Sequence, residues 1–175
     1  MTWLGTETEG ATSLDRIFGL TPEIYATFRD LYGAVWDADR GDPALLELCR
    51  LRVAQLVGCP SELAARTGPA AAAGLTDEKV AELRQWPTSP LYDDRDRAVL
   101  NFAERYVIDA SSISDTDCAR LREHLSDPEC ATLTTALAMF DAMARFRVAL
   151  GVEPPADGEV HVVPIDPAVR PTSLP

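Results

Sequence analysis

The sequence predicts an all-α fold, and three observations support this prediction. Between residues 21 and 151, apolar residues recur at intervals of three, four, seven and eight, which is the spacing of amphipathic helices. Helix-capping residues and prolines precede these segments in the order typical of helix N-termini. Only residues 159–163 have the composition of a strand. A chain of 175 residues is also long enough to bury one core without metal or disulfide support.

The first three predicted helices follow one another closely. A Thr-Pro pair at residues 21–22 begins the first, and an Asp-Pro pair begins the second, which spans residues 43–57. We expect the third helix to span residues 60–74 and to end at a glycine. Cys59 then lies at a helix N-terminus, where the helix dipole favours a thiolate.

Four further helices are predicted in the second half of the chain, over residues 77–85, 93–108, 115–125 and 127–150. Ser114 and Asp117 resemble a capping box with aspartate in place of glutamate. The last helix is apolar on most sides. Such a helix is typical of the centre of a bundle or of a buried oligomer interface.

The domain organisation follows from these elements. We expect an N-terminal arm over residues 1–20, a single all-α domain over 21–151 and an extended tail over 152–175. The tail contains six prolines, which exclude a helix. We expect it to pack as an arm on a neighbouring subunit or to be partly disordered.

Composition excludes several classes of function. The net charge of −12 and the pI near 4.5 disfavour nucleic acid and anionic lipid as partners. We find no secretory signal and no stretch near the roughly 20 apolar residues of a membrane span, so we expect a cytoplasmic protein. The four cysteines are scattered, so we expect free thiols and no metal. With no nucleotide-binding motif either, we expect no cofactor.

Residues 47–66 carry the most informative motif, formed by Glu47, Cys59, Glu62 and Arg66. This segment resembles the active-site helix pair of the carboxymuconolactone decarboxylase / alkylhydroperoxidase D (AhpD) superfamily. The redox branch of that family has a glutamate, a C-x-x-C pair and a histidine four residues further on. Glu47 and Cys59 match the glutamate and the first cysteine. Glu62 replaces the second cysteine, and Arg66 replaces the histidine.

The resemblance extends from about residue 23 to residue 152. It includes residues 73–80, and residues 137–152, where Arg145 matches a common arginine of the family. It implies an all-helical bundle of the AhpD-like type that forms homo-oligomers, often trimers or hexamers. It also implies either thiol peroxidase activity or cofactor-free chemistry on small carboxylated molecules.

The two replacements change the expected chemistry. Glu62 cannot form a disulfide with Cys59, which closes the dithiol cycle within this motif. Arg66 stays protonated and cannot act as a base, but it can bind a substrate carboxylate or lower the pKa of a nearby thiol. We therefore take Glu47, Cys59 and Glu62 as candidate catalytic residues and Arg66 as the candidate substrate-binding residue. The structural alternatives are an ion pair of Glu47 with Arg50 or Arg66 and an exposed Glu62–Arg66 bridge.

Three functions remain open from the sequence. The first is a small-molecule enzyme of decarboxylase, isomerase or lyase type that uses acid–base chemistry on an anionic substrate. The second is a one-cysteine peroxidase-like oxidoreductase in which Cys59 is oxidised to a sulfenate. The third is a non-catalytic binding or assembly protein. The replacing residues are ionisable rather than apolar, which favours a working site over an inactive one. We rank the first function slightly above the second.

Overall fold

The computed structural model describes residues 2–5, 13–155, 160–163 and 165. Helices dominate this part of the chain, which confirms the all-α prediction. No helix in it is both long enough and apolar enough to span a lipid bilayer. The expected domain boundaries stay a prediction. Residues 13–18, within the expected N-terminal arm, form a helix whose last two side chains, Ile17 and Phe18, are buried.

The described residues form nine α-helices and two short strands. The helices are α1 (Ser13–Phe18), α2 (Pro22–Val35), α3 (Pro43–Val57), α4 (Pro60–Leu63), α5 (Gly68–Ala72), α6 (Asp77–Ala81), α7 (Asp94–Asp109), α8 (Asp115–Arg122) and α9 (Asp127–Ala149). The strands are β1 (Ala65–Thr67) and β2 (His161–Val163). Two 3₁₀ turns, Leu83–Gln85 and Ala110–Ser112, follow α6 and α7.

Helix α3 lies at the centre of the bundle and packs against both α7 and α9. Its start is set by Asp42, whose carboxylate accepts hydrogen bonds from the backbone N–H groups of Ala44 and Leu45. Its end is set by Gly58, whose φ of 73° is the left-handed conformation that glycine adopts most easily. Because α3 is buried over most of its length, its polar residues Glu47 and Arg50 lie inside the protein.

The predicted helix over residues 60–74 is wrong. The chain forms α4, then β1, then α5, which ends before Gly74. Pro69 explains the interruption, because a proline inside a helix removes a hydrogen-bond donor and clashes with the preceding turn. Pro69 instead occupies the first turn of α5, where it is tolerated. Residues 65–67 are thereby free to adopt an extended conformation.

The strand expected in the tail forms at His161–Val163 and pairs in parallel with β1 of the same chain. Ala65 is paired with His161, and Thr67 with Val163. The backbone N–H of His161 also donates to the carbonyl of Ala64 at 2.9 Å. The tail therefore returns to the segment that carries the sequence motif. Much of the rest of the tail lies outside the described residues.

Candidate active site

Four buried or partly buried charged residues form a connected network at the centre of the bundle. This charge network consists of Glu47 and Arg50 on α3, Glu62 on α4 and Arg147 on α9. Positive and negative groups alternate along it, so the four charges balance. Such balance is required because an unpaired charge in a protein interior is strongly destabilising.

Arg50 is the hub of the charge network, and all five of its N–H groups are used. Nε and Nη2 donate to the two carboxylate oxygens of Glu47 at 2.9 and 2.8 Å. Nη1 donates to Oε2 of Glu62 at 2.5 Å and to the carbonyl of Glu62 at 2.9 Å. The last Nη2 hydrogen goes to the carbonyl of Ala65 at 2.7 Å. A guanidinium has five N–H donors, so Arg50 has none left for a substrate.

Glu47 is saturated in the same way. Besides the two bonds from Arg50, its oxygens accept the backbone N–H of Thr67 at 3.2 Å and the Thr67 hydroxyl at 3.1 Å. A carboxylate offers about four acceptor sites, and all are filled here. Glu47 therefore forms the structural ion pair with Arg50 that the sequence analysis gave as an alternative to a catalytic role. Burial alone would lower the pKa of Arg50, but the hydrogen bonds and charge of Glu47, with the charge of Glu62, raise it above its ordinary value.

Glu62 differs from Glu47 because it faces a cavity. One of its oxygens accepts from Arg50, and the other lies 2.5 Å from Nε of Arg147. This second contact is an ion pair without hydrogen-bond alignment, since Nε of Arg147 has no hydrogen-bond partner among the described residues. Glu62 is thus a carboxylate held between two guanidinium groups at the edge of an open space.

The cavity has a volume of about 180 Å³. Helices α1, α2, α3 and α9 contribute to its wall, together with residues 62–67 and the tail. Its lining is mixed, with arginines and carboxylates beside aromatic and aliphatic side chains. The lining residues are Leu14, Phe18, Tyr25, Phe28, Arg29, Asp30, Tyr32, Gly33, Arg50, Glu62, Ala65, Thr67, Met143, Arg147, Val163 and Ile165.

Tyr32 brings a phenol to the same cavity. Burial, with smaller contributions from the charges of Glu62 and Glu47, raises its pKa far above the ordinary value, and the charge of Arg50 opposes this only in part. Tyr32 therefore stays protonated at any ordinary pH. We find no hydrogen bond from its hydroxyl within the described ranges, so the phenol is available as a donor to a bound molecule.

Cys59 lies beside this site but does not line the cavity. As expected, it is found at a helix start, as the N-cap of α4. Its side chain is fully buried, and Sγ lies 3.5 Å from the hydroxyl of Ser61. The described cysteines are all free thiols, and the fold brings none of them to the cavity wall.

Arg66 also lies outside the cavity lining. Its Nη1 donates to the carbonyls of Leu63 and Ala65 at 3.1 and 2.8 Å. Burial lowers its pKa, and the charge of Glu47 opposes this shift. Glu62 and Arg66 were expected on one helix, but α4 ends at Leu63, so the four-residue spacing no longer places them on one face.

Sequence reasoning missed Arg147, Tyr32 and Thr67. Two of them could have been found from periodicity. Arg147 continues the buried stripe of α9, which runs through Leu137, Phe140 and Met143 at intervals of three and four. The family pattern had pointed to Arg145 in this helix, but that residue is exposed and pairs with Asp141. Tyr32 likewise continues the inward face of α2. No local signal marks Thr67.

The part of the chain that carries this site is similar to a known protein family. The model of the carboxymuconolactone decarboxylase family matches residues 22–105, which include Glu47 through Arg66. The uncharacterized protein YnjA of Escherichia coli (strain K12) is 27% identical over 124 residues, 67% of this chain and 63% of YnjA. The chain thus spans a little under two thirds of the length of this relative.

Solved structures show the same fold. A protein of unknown function from Agrobacterium tumefaciens, proposed as the antioxidant defence protein AhpD, superposes with a TM-score of 0.67 at 21% identity, over 80% of this chain and 96% of the other. The debrominase Bmp8, in complex with 2,3,4-tribromopyrrole, gives a TM-score of 0.67 at 18% identity, over 82% of this chain and 76% of Bmp8. At such low identity these likenesses concern the fold alone.

Proposed function

We propose that this chain, which is similar to the carboxymuconolactone decarboxylase family over residues 22–105, is a small-molecule enzyme that uses acid–base chemistry on an anionic substrate. This similarity supports a small-molecule catalytic or peroxidase-like role. The reaction type proposed here is that of a decarboxylase, isomerase or lyase. The observation that carries this choice is that Glu62 faces the cavity between two arginines, whereas Cys59 does not line it.

Glu62 is the proposed acid–base group. Its carboxylate takes a proton from the substrate or returns one, and positioned carboxylates contribute about 10²–10⁴-fold to such steps. Tyr32 supports the reaction as a neutral hydrogen-bond donor to an oxygen on which negative charge develops. No sulfur chemistry is needed in this scheme.

Arg147 is the proposed binding group for the anionic part of the substrate. This assigns to Arg147 the role that the motif suggested for Arg66, because only Arg147 of the two lines the cavity. Glu47 takes the role of a positioning residue. Its four hydrogen bonds fix Arg50 and Thr67, and Arg50 in turn fixes Glu62.

Turnover of single variants tests this proposal. A panel of small carboxylic acids is screened for solvent-deuterium exchange and for decarboxylation by NMR, and the best substrate is used with each variant. We expect Glu62→Gln to lower kcat by about 10²–10⁴-fold and Cys59→Ser to leave it nearly unchanged. Glu78→Gln, an exposed glutamate on α6, is the matched control.

The opposite pattern supports the competing function. If Cys59→Ser abolishes turnover and Glu62→Gln does not, the acid–base assignment is wrong and the one-cysteine peroxidase-like reading replaces it. In that case peroxide consumption with an external thiol should depend on Cys59.

A further inference from the structure

We propose that the molecule bound in this cavity is a monocyclic aromatic carboxylate, of the size and charge of benzoate. This deepens the proposed function and rests on it only in taking the cavity as the substrate site. The inference is carried by the cavity volume, by the arrangement of its aromatic rings and by the unused donors at one end of it.

The volume sets the size of the ligand. A protein cavity of about 150 Å³ lined by apolar side chains holds one benzene molecule. The cavity here, at about 180 Å³, therefore has room for one six-membered ring and a carboxylate.

The aromatic rings set the shape of the ligand. The ring of Phe18 is nearly parallel to that of Tyr25, with centroids 4.5 Å apart and an interplanar angle of 8°. It is also nearly parallel to Phe28, at 5.8 Å and 16°. All three residues line the cavity. Parallel rings at these separations stack favourably, and Phe146 is also nearly parallel to Phe18, at 5.3 Å and 11°. The cavity wall thus offers a group of near-parallel aromatic rings against which a flat ligand ring can pack.

The polar end sets the charge of the ligand. Three arginines and two carboxylates line the cavity. Arg50 is already neutralised by Glu47 and adds no free positive charge, whereas Arg147 still has unused donors. We find no hydrogen bond from Nη1 or Nη2 of Arg147 to any described residue. These two nitrogens form a planar fork that matches the two oxygens of a carboxylate. The phenol of Tyr32 provides a further donor.

Binding measurements with three ligands test this inference on the whole chain. Benzoate is the probe. Cyclohexanecarboxylate has the same charge but a non-planar ring, and benzamide has the planar ring without the charge. We expect wild-type protein to bind benzoate at least about tenfold more tightly than either comparison ligand, as measured by NMR titration or calorimetry. Equal affinity for benzoate and cyclohexanecarboxylate would overturn the aromatic assignment, and this comparison needs no variant.

Two variants on α9 test the charge assignment. Arg147→Gln should weaken benzoate binding by about tenfold or more, whereas Arg145→Gln, two residues away and exposed, should change it by less than about twofold. Thermal melts are used to check that both variants are folded. Arg147→Lys keeps the positive charge but lacks the planar pair of nitrogens, and it should bind benzoate with intermediate affinity. Equal loss in the Gln variants at 145 and 147 would exclude a specific contact.

The Glu62→Gln variant separates this inference from the proposed function. We expect it to lose turnover and still bind benzoate. If it binds benzoate and also keeps full turnover, the acid–base role fails and the ligand assignment stands. If turnover is lost but benzoate and cyclohexanecarboxylate bind equally in wild type, the ligand assignment fails and the acid–base role stands.

Discussion

At the scale of single residues, the site separates structural charges from available ones. Arg50 and Glu47 satisfy each other and the surrounding backbone completely. Glu62 and Arg147 are only partly satisfied and face the cavity. Because hydrogen-bonding capacity that is already used inside the protein cannot bind a substrate, chemistry falls to the second pair.

Removing Arg50 should therefore destabilise the fold rather than only inhibit an activity. In Arg50→Met the carboxylates of Glu47 and Glu62 lose their buried partner, which costs about 3–5 kcal/mol. Arg52→Met is the matched control on the same helix, because Arg52 pairs with Glu104 in a partly exposed position. In Arg52→Met the free energy of unfolding should fall by about 1 kcal/mol or less. Denaturant unfolding measures both, and equal losses would contradict a structural hub at Arg50.

Thiol accessibility gives a second prediction at this scale. Cys118 is exposed, whereas Cys49 and Cys59 are buried, and burial raises the pKa of Cys49 far above its ordinary value. An alkylating reagent at neutral pH should therefore modify Cys118 first and reach Cys49 and Cys59 only after unfolding. Peptide mass spectrometry locates the label. Rapid labelling of Cys59 in the native protein would instead support the one-cysteine function.

At the scale of elements, short segments rather than long helices complete the site. β1 contributes Thr67, which donates twice to Glu47, and β2 contributes Val163 to the cavity wall. The two strands pair with each other although they are far apart in the sequence. Their pairing therefore couples the tail to the position of Glu47 and encloses the cavity on one side.

Helix capping gives a pH prediction for α8. Hydrogen bonds from the hydroxyl and backbone of Ser114 lower the pKa of Asp117 to about 2, from an ordinary value of 3.8. The depressed pKa adds stability at pH values above 3.8, and this contribution is lost as the pH falls toward about 2. We expect the free energy of unfolding to decrease over that window in wild type and to vary less in Asp117→Asn. Urea unfolding at several pH values measures the slope, and identical slopes would contradict the assignment.

Ser114→Ala provides the matching test from the other side of the cap. It removes the hydroxyl that donates to Asp117 at 2.5 Å and accepts the backbone N–H of Asp117. We expect the free energy of unfolding to fall by about 1 kcal/mol near neutral pH. We also expect it to decrease less steeply with falling pH than in wild type.

At the scale of the whole molecule, apolar side chains remain exposed on two helices, α2 and α9, that are neighbours in space. Leu20, Ile24 and Leu31 are exposed on or beside α2, and Val148 is exposed on α9. Exposed apolar residues on packed helices are typical of an interaction surface when they form one patch. α2 and α9 pack against each other, which is consistent with one surface.

Self-association stays a prediction and is tested by sedimentation. We expect a species larger than the 19.0 kDa chain at micromolar concentration. Ile24→Glu should shift it toward monomer, because a charge at a buried interface is unfavourable. Ile108→Glu, an exposed isoleucine on α7, serves as the comparison. A wild-type protein that sediments only as a monomer would rule out the oligomer.

Local signals in the sequence were sufficient for most of the fold. The proline and aspartate before α3, the glycine after it and the serine caps of α8 and α9 all mark observed boundaries. These signals work because capping depends on residues within one turn of each other. The same locality explains why the motif identified Glu47, Cys59 and Glu62 as neighbours of the site.

Only the tertiary structure decided which charges meet. Arg66 is four residues from Glu62, yet Arg147, on the last helix, provides the contact. The interruption at Pro69 allows β1 to pair with β2, and this pairing brings the tail to the cavity. Such choices depend on the burial of whole helix faces and on pairing between distant segments, which short-range sequence patterns do not encode. The sequence by itself thus determined the helices and the family motif, and long-range packing decided which arginine and which tyrosine complete the site.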